Sequence, residues 1–254
     1  MKLFLIAGEA SGDKLGAAMM AGLKQISPDV EFHGVGGPHM QAEGLVSLFP
    51  MDELSVMGLA EVLPKLRGLF KRRDQAVDAV IALQPDALIT IDSPDFCLRV
   101  AAKVRQKSPI PIIHYVAPSV WAWRPGRAAK MARHVDHVLV LLPFEPPYMQ
   151  AAGMTCDFVG HPVVAETQPT PAEIAALRAE LKIHDDALVL SVLPGSRSGE
   201  VARLAGRFGA TVGLLNRDDL HVVVPTVPHV HEQVAEEVQN WPFHVSILDA
   251  RDHE

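Results

Sequence analysis

The chain has 254 residues, 48% of them hydrophobic and 21% charged, with 6% aromatic residues and a formal net charge of −7. That balance supports a sizeable core, excludes a disordered or collagen-like polymer, and argues against a nucleic-acid binder, which needs a cationic face. Length alone gives about 1.7 domains at roughly 150 residues each.

Short apolar runs alternate with helical periodicity, the pattern of a parallel sheet with crossover helices. The first series of strands is expected at 3–7, 32–35, 87–91, 110–116, 137–142 and 156–159. Leu15, Ala18, Met19 and Leu23 form one helical stripe between them, and Phe96, Val100 and Val104 another. The run 3–7 is too short for a secretory core, and 138–144 falls far below the roughly 18 apolar residues of a spanning helix. The proline-rich stretch from His161-Pro162 to Pro169-Thr170-Pro171 is expected to be a hinge or linker. A second series follows, with strands at 187–193, 221–225 and 244–248 and a stripe of Val201, Leu204, Phe208, Val212 and Leu215. The division expected is 1–165 and 166–254, two Rossmann-like α/β domains, the second stopping partway through its sheet.

Ligands in open α/β sheets bind beyond the carboxyl ends of strands. After the first strand, Gly8-Glu9-Ala10-Ser11-Gly12-Asp13-Lys14 is one residue short of P-loop spacing and lacks the Ser or Thr that would hold magnesium. It reads as a tight strand-to-helix turn capped by Ser11 or Asp13. Gly34-Val35-Gly36-Gly37 lacks the third glycine of a dinucleotide fingerprint.

In Ile91-Asp92-Ser93-Pro94-Asp95, Ser93 suits an N-cap and Pro94 the first helical position, which places Asp95 in the first turn. Asp92 precedes the cap, at the mouth of the expected crevice. Two readings stand: a general base, or a loop carboxylate holding backbone N–H groups. Trp121, Trp123 and Arg124 follow another strand and suit either a sugar or lipid platform or packing beneath a loop. Arg124, Arg127, Lys130 and Arg133 recur near helical spacing, as a solvated basic face would.

In the second half, Gly195-Ser196-Arg197 joins a strand to a helix. Small residues admit an anion to backbone N–H groups, and Arg197 can add a charge-assisted contact; a plain glycine turn is the alternative. Leu59, Val62, Leu63, Leu66, Leu69 and Phe70 are interleaved with Lys65, Arg67, Lys71, Arg72 and Arg73. That stripe suits core packing or docking on anionic lipid, with Pro64 favouring a helix start nearby. His134, His137, His229 and His231 lack a third ligand at workable spacing, and Cys97 and Cys156 form no CxxC, so no metal is assigned. Cysteine usage fits a reducing cytoplasm.

Together these segments resemble the lipid-A-disaccharide synthase family, inverting glycosyltransferases of GT-B type. The resemblance rests on Ala7–Asp13, on Gly36-Gly37-Pro38-His39-Met40 and Ile91–Phe96, then on His114–Arg124, Phe158-Val159-Gly160-His161-Pro162 and Leu193–Arg197, in family order. It implies condensation of UDP-2,3-diacylglucosamine with 2,3-diacylglucosamine 1-phosphate to give a β-1,6-linked lipid A disaccharide 1-phosphate and UDP, without a cofactor. It implies Asp92 as the base for the acceptor 6-hydroxyl, and Gly195, Ser196 and Arg197 on the donor side. Glu9, Ser11, Asp13, Trp123 and Arg124 fall in the acceptor crevice. Val62, Leu63, Leu66, Leu69 and Phe70 would contact the cytoplasmic face of the inner membrane. A homodimer of the full-length protein is implied as well. The other readings are a non-catalytic module binding acylated sugar or membrane, and another UDP-sugar enzyme such as a 2-epimerase.

Overall fold

The computed structural model describes residues 1–54, 59–227 and 230–249, with side chains except at 59–65 and 249. The chain forms two compact units, Met1–Glu166 and Thr167–Glu254.

The first unit is built on a parallel sheet of seven strands among the described residues: β1 (Lys2–Ala7), β2 (Glu31–Val35), β3 (Val46–Ser47), β4 (Ala87–Ile91), β5 (Ile112–Tyr115), β6 (His137–Val140) and β7 (Thr155–Phe158). The spatial order is β3-β2-β1-β4-β5-β6-β7. β1 and β4 are wholly apolar in their buried positions except for Thr90, as central parallel strands covered on both faces require. The order reverses direction between β1 and β4, so the sheet has a topological switch point there. Ala7 pairs with Ile91 and Ile91 with Tyr115, which brings Gly8, Asp92 and Val116 to one edge of the sheet.

Helices α1 (Ala10–Ile26), α2 (Pro38–Ala42), α3 (Leu59–Leu83), α4 (Pro94–Lys107), α5 (Gly126–Met131) and α6 (Pro146–Gln150) complete this unit. Leu15 and Met20 of α1 and Cys97, Val100, Ala101 and Val104 of α4 enter the core, whereas Ala18 is exposed. Gly16 matters for packing: a Cβ there would lie 2.6 Å from Met40 Sδ and 3.0 Å from Ile91 Cδ1. The helix α3 runs through Pro64 instead of starting near it.

The second unit holds α7 (Pro171–Glu180), β8 (Leu188–Ser191), α8 (Ser198–Gly213), β9 (Leu220–Thr226), α9 (His231–Val238) and β10 (His244–Asp249). Its three described strands are parallel in the order β10-β9-β8. Val201, Ala205, Val222, Val224 and Val234 form its core. The stripe on α8 ends at Val212, because the helix stops at Gly213 and leaves Leu215 exposed. The expected linker is also more ordered than its composition indicates. Thr170 and Glu173 form a reciprocal capping box with Pro171 at the first helical turn, which starts α7 inside the proline-rich stretch.

Candidate functional site

At the switch point the backbone leaves the common conformations. Asp92 and Ser93 have φ of 49° and 42°, and Val116 has φ of 78°. Left-handed geometry costs a non-glycine residue about 1–2 kcal/mol, and a β-branched residue is a clear outlier there. Three such residues at the ends of the adjacent strands β4 and β5 mark backbone held for a purpose other than stability. Ser93 stands at the N-cap of α4 but its side chain caps nothing, a correction to its expected role. It lies instead against Gly8, where a Cβ would approach Ser93 Oγ to 2.6 Å. Glycine at position 8 is thus what lets the loops after β1 and β4 close on each other.

Asp92 is half-buried. Its amide donates to the Tyr115 carbonyl at 2.9 Å, while its carboxylate makes no hydrogen bond or ion pair among the described residues. The carboxylate clamps no backbone N–H group among the described residues. Beside it, the buried Cys97 thiol is pushed up to about 12, chiefly by burial and further by the charges of Asp92 and Glu9. Cys97 is therefore a protonated core residue, bonded weakly to the Ile6 carbonyl, and not a nucleophile.

Asp13 is only 1% exposed and does what Asp92 does not. Its Oδ1 accepts from the amides of Gly37 and Met40 at 2.7 and 3.0 Å, and Oδ2 accepts from His39 at 2.9 Å. The carboxylate closes the N-terminus of α2, a helix remote in sequence, and caps nothing at the start of its own. Neither Ser11 nor Asp13 caps α1, whose N-cap position is Glu9. Both Asp13 carboxylate oxygens are therefore engaged in holding α2. Glu9 is partly exposed and Ser11 exposed on the first turn of α1.

The loop after β5 displays its aromatics. Trp123 is 66% exposed with the Arg124 guanidinium 4.2 Å above its ring, and Trp121 meets Phe144 edge to face at 5.2 Å. The Trp123 indole faces solvent under a stacked cation and is not packed beneath the loop. Deeper in the sheet, His114 is fully buried, and burial holds its imidazole at about 4, neutral. Nδ1 lies 2.8 Å from Thr90 Oγ1.

In the second unit Gly195 has φ of 125°, and a Cβ there would meet Glu200 Cβ at 2.6 Å. Glu200 folds back over the loop: Oε1 accepts from Arg197 at 2.9 Å and Oε2 from the Ser196 amide at 3.2 Å. The Arg197 guanidinium holds the Glu200 carboxyl below the usual carboxylate range. An internal carboxylate thus occupies the groups expected to take an anion. Sequence reasoning passed over Glu200, although the three-residue spacing from Arg197 on a helix start was its signal.

On α3, Leu69 is half-buried against the core and Phe70 is 40% exposed under the Arg73 guanidinium, 4.8 Å from its ring. Leu66 is half-buried; the side chains of Val62 and Leu63 lie outside the described residues. Arg72 is held by Glu53 through two bonds of 2.7 and 2.6 Å. No cluster of three or more potential metal ligands occurs among the described residues, and no described helix is long and apolar enough to cross a membrane.

The parallel sheet with its switch point, followed by a second parallel α/β unit, is the architecture of GT-B glycosyltransferases and their epimerase relatives. A UDP-GlcNAc 2-epimerase from Neisseria meningitidis, solved bound to UDP-GlcNAc, superposes with a TM-score of 0.71 at 12% identity, over 100% of this chain and 73% of that one. A glycosyltransferase from Rickettsia africae gives 0.56 at 12% identity, over 98% and 67%. These likenesses establish the fold. Sequence narrows the class: the lipid-A-disaccharide synthetase family matches residues 3–250, and the chain belongs to that family. The lipid-A-disaccharide synthase of Ruegeria pomeroyi is 61% identical over 253 residues, 99% of this chain. That of Rhodospirillum centenum is 55% identical over 244 residues, 94% of this chain. The chain spans 63% and 61% of those two relatives' lengths.

Proposed function

We propose that the chain carries the acceptor chemistry, and part of the donor site, of a lipid-A-disaccharide synthase. The single observation that carries this is Asp92: a carboxylate without a hydrogen bond among the described residues, on left-handed backbone at the switch point, in a chain of this family. Asp92 takes the proton from the 6-hydroxyl of 2,3-diacylglucosamine 1-phosphate as that oxygen attacks the anomeric carbon of UDP-2,3-diacylglucosamine. The bond to the diphosphate breaks on the opposite face, the anomeric centre inverts, and UDP leaves with the electron pair. A positioned base supplies about 10²–10⁴ in rate. Arg197 offsets charge on the departing diphosphate once it is released from Glu200, with Gly195 and Ser196 presenting backbone to it. Glu9 and Ser11 border the acceptor, and Trp123 with Arg124 forms its platform.

In this reading residues 1–165 form the acceptor and membrane domain, and 166–254 belong to the donor domain. Phe70 and Leu66, with Val62 and Leu63, rest on the cytoplasmic face of the inner membrane, from which both acylated substrates are drawn. Each acyl methylene buried contributes about 0.8 kcal/mol, so catalysis at the bilayer avoids extracting long chains into water. The full-length protein acts as a homodimer.

The test is a radiolabelled transfer assay with both lipid substrates, run on this chain beside its Ruegeria pomeroyi relative. Disaccharide and stoichiometric UDP from this chain support the reading. Turnover by the relative alone leaves this chain a binding module for acylated sugar. Epimerised UDP-sugar without acceptor consumption assigns the 2-epimerase chemistry instead.

A further inference from the structure

A cavity of about 640 Å³ lies between α4 and α5 in the first unit, beginning two residues beyond Asp92. Arg99, Arg124, Arg127 and Lys130 line it against a single carboxylate, Asp95, which pairs with Arg127 at 2.8 Å. Its apolar wall is Leu98, Ala102 and Met131.

Many basic side chains elsewhere in this unit are neutralised locally, although Arg67, Lys71 and Arg133 have no ion pair among the described residues. Lys24 pairs with Glu43, Arg72 with Glu53, Arg73 and Lys103 with Asp74, Arg105 with Asp136, and Lys107 with Asp78. Arg99, Arg124 and Lys130 have no ion pair among the described residues: Arg99 donates to the Asp95 carbonyl and Arg124 stacks on Trp123. In a chain of net charge −7, three cations without an ion pair around one cavity repel one another and focus positive potential there. Guanidinium groups match phosphate oxygens two at a time, and an excess of three positive charges favours a dianion over a carboxylate. The apolar wall suits the carbon frame that a phosphate ester carries.

We propose that this cavity binds a phosphate ester, with Arg99, Arg124 and Lys130 supplying the charge. The inference rests on the synthase reading in one respect: the acceptor proposed above carries such a group, next to the hydroxyl-activating Asp92. An anionic phospholipid headgroup offers the same phosphate oxygens, with one negative charge instead of two because it is a diester.

The experiment titrates this chain with glucosamine 1-phosphate by calorimetry, and with vesicles of phosphatidylglycerol or phosphatidylcholine by flotation. The double variant Arg99→Gln, Lys130→Gln is compared with Lys107→Gln, a cation outside the cavity, and equal melting temperatures verify that each is folded. The expected result is binding of a phosphate probe that weakens about tenfold or more in the double variant alone. Loss confined to the soluble sugar phosphate identifies the substrate as the source, and loss confined to phosphatidylglycerol the headgroup. Absence of binding by the native chain, or equal binding by the double variant, overturns the proposal. Asp92→Asn separates this from the synthase reading, since it slows transfer by about 10²–10⁴ without altering the titration. Phosphate binding that survives a failed transfer assay likewise leaves the cavity standing while the synthase reading falls.

Discussion

The loops after β4 and β8 occupy equivalent places, each following a strand and opening a helix, yet they are built in opposite ways. The first holds an acid whose carboxylate has no partner among the described residues, on backbone that costs energy to maintain. The second holds a base already answered by an acid, Arg197 by Glu200, with its one unusual φ assigned to a glycine. A proton acceptor has to be unpaired in advance, because a hydrogen-bonded carboxylate is a weaker base. A diphosphate-binding arginine can wait in an ion pair, since an incoming dianion outcompetes an exposed carboxylate.

The same contrast exists within the first unit between Asp13 and Asp92. Asp13→Ala would leave three backbone amides without their acceptor and is expected to lower stability by about 3 kcal/mol, read by denaturant unfolding. A stability within experimental error of the native chain would show that Asp13 is no longer distinguished from a crevice group.

His114 sharpens the comparison through pH. The unfolded imidazole takes a proton as pH falls through 6.5, whereas the folded one resists until about 4. The unfolded state therefore binds more protons between these values. Stability is full above pH 6.5 and is lost progressively toward pH 4, by about 3 kcal/mol. Unfolding free energies measured from pH 7 to 4 should show this slope, and His114→Gln should remove it.

A smaller effect separates the two charged loops. Glu200→Gln frees Arg197 and is expected to tighten UDP binding about threefold to tenfold, measured by titration. Weaker binding would mean that Glu200 positions Arg197 instead of blocking it. Smallest is Phe70→Ser, expected to weaken flotation with anionic vesicles by less than about 1 kcal/mol, because its ring is partly covered already. Unchanged flotation would remove Phe70 from the membrane face.

Much of the fold was legible because parallel strands buried on both faces read as short apolar runs, as at 87–91, matched by β4 (Ala87–Ile91). The start of α7 was hidden because Pro169 and Pro171 signal a loop, while the capping box of Thr170 and Glu173 turns the second proline into a helix start. Asp92 stood out by lying ahead of the helix it precedes. Asp13 misled because its partners, Gly37, His39 and Met40, are more than 20 residues away in sequence. Local spacing cannot reveal a cap supplied to another helix. Similarly, 124–133 read as a solvated basic face, and only the packing of α5 beside α4 gathers Arg99 into the same cavity.

The central claim is that Asp92 is kept unpaired in order to accept a proton. The most direct measurement is single-turnover transfer with Asp92→Asn, alongside acceptor affinity for the same protein. Asparagine keeps the size and tolerates the left-handed backbone, so the account predicts affinity within about twofold and a rate lower by about 10²–10⁴. A rate within about threefold of the native protein, at equal affinity, would contradict it.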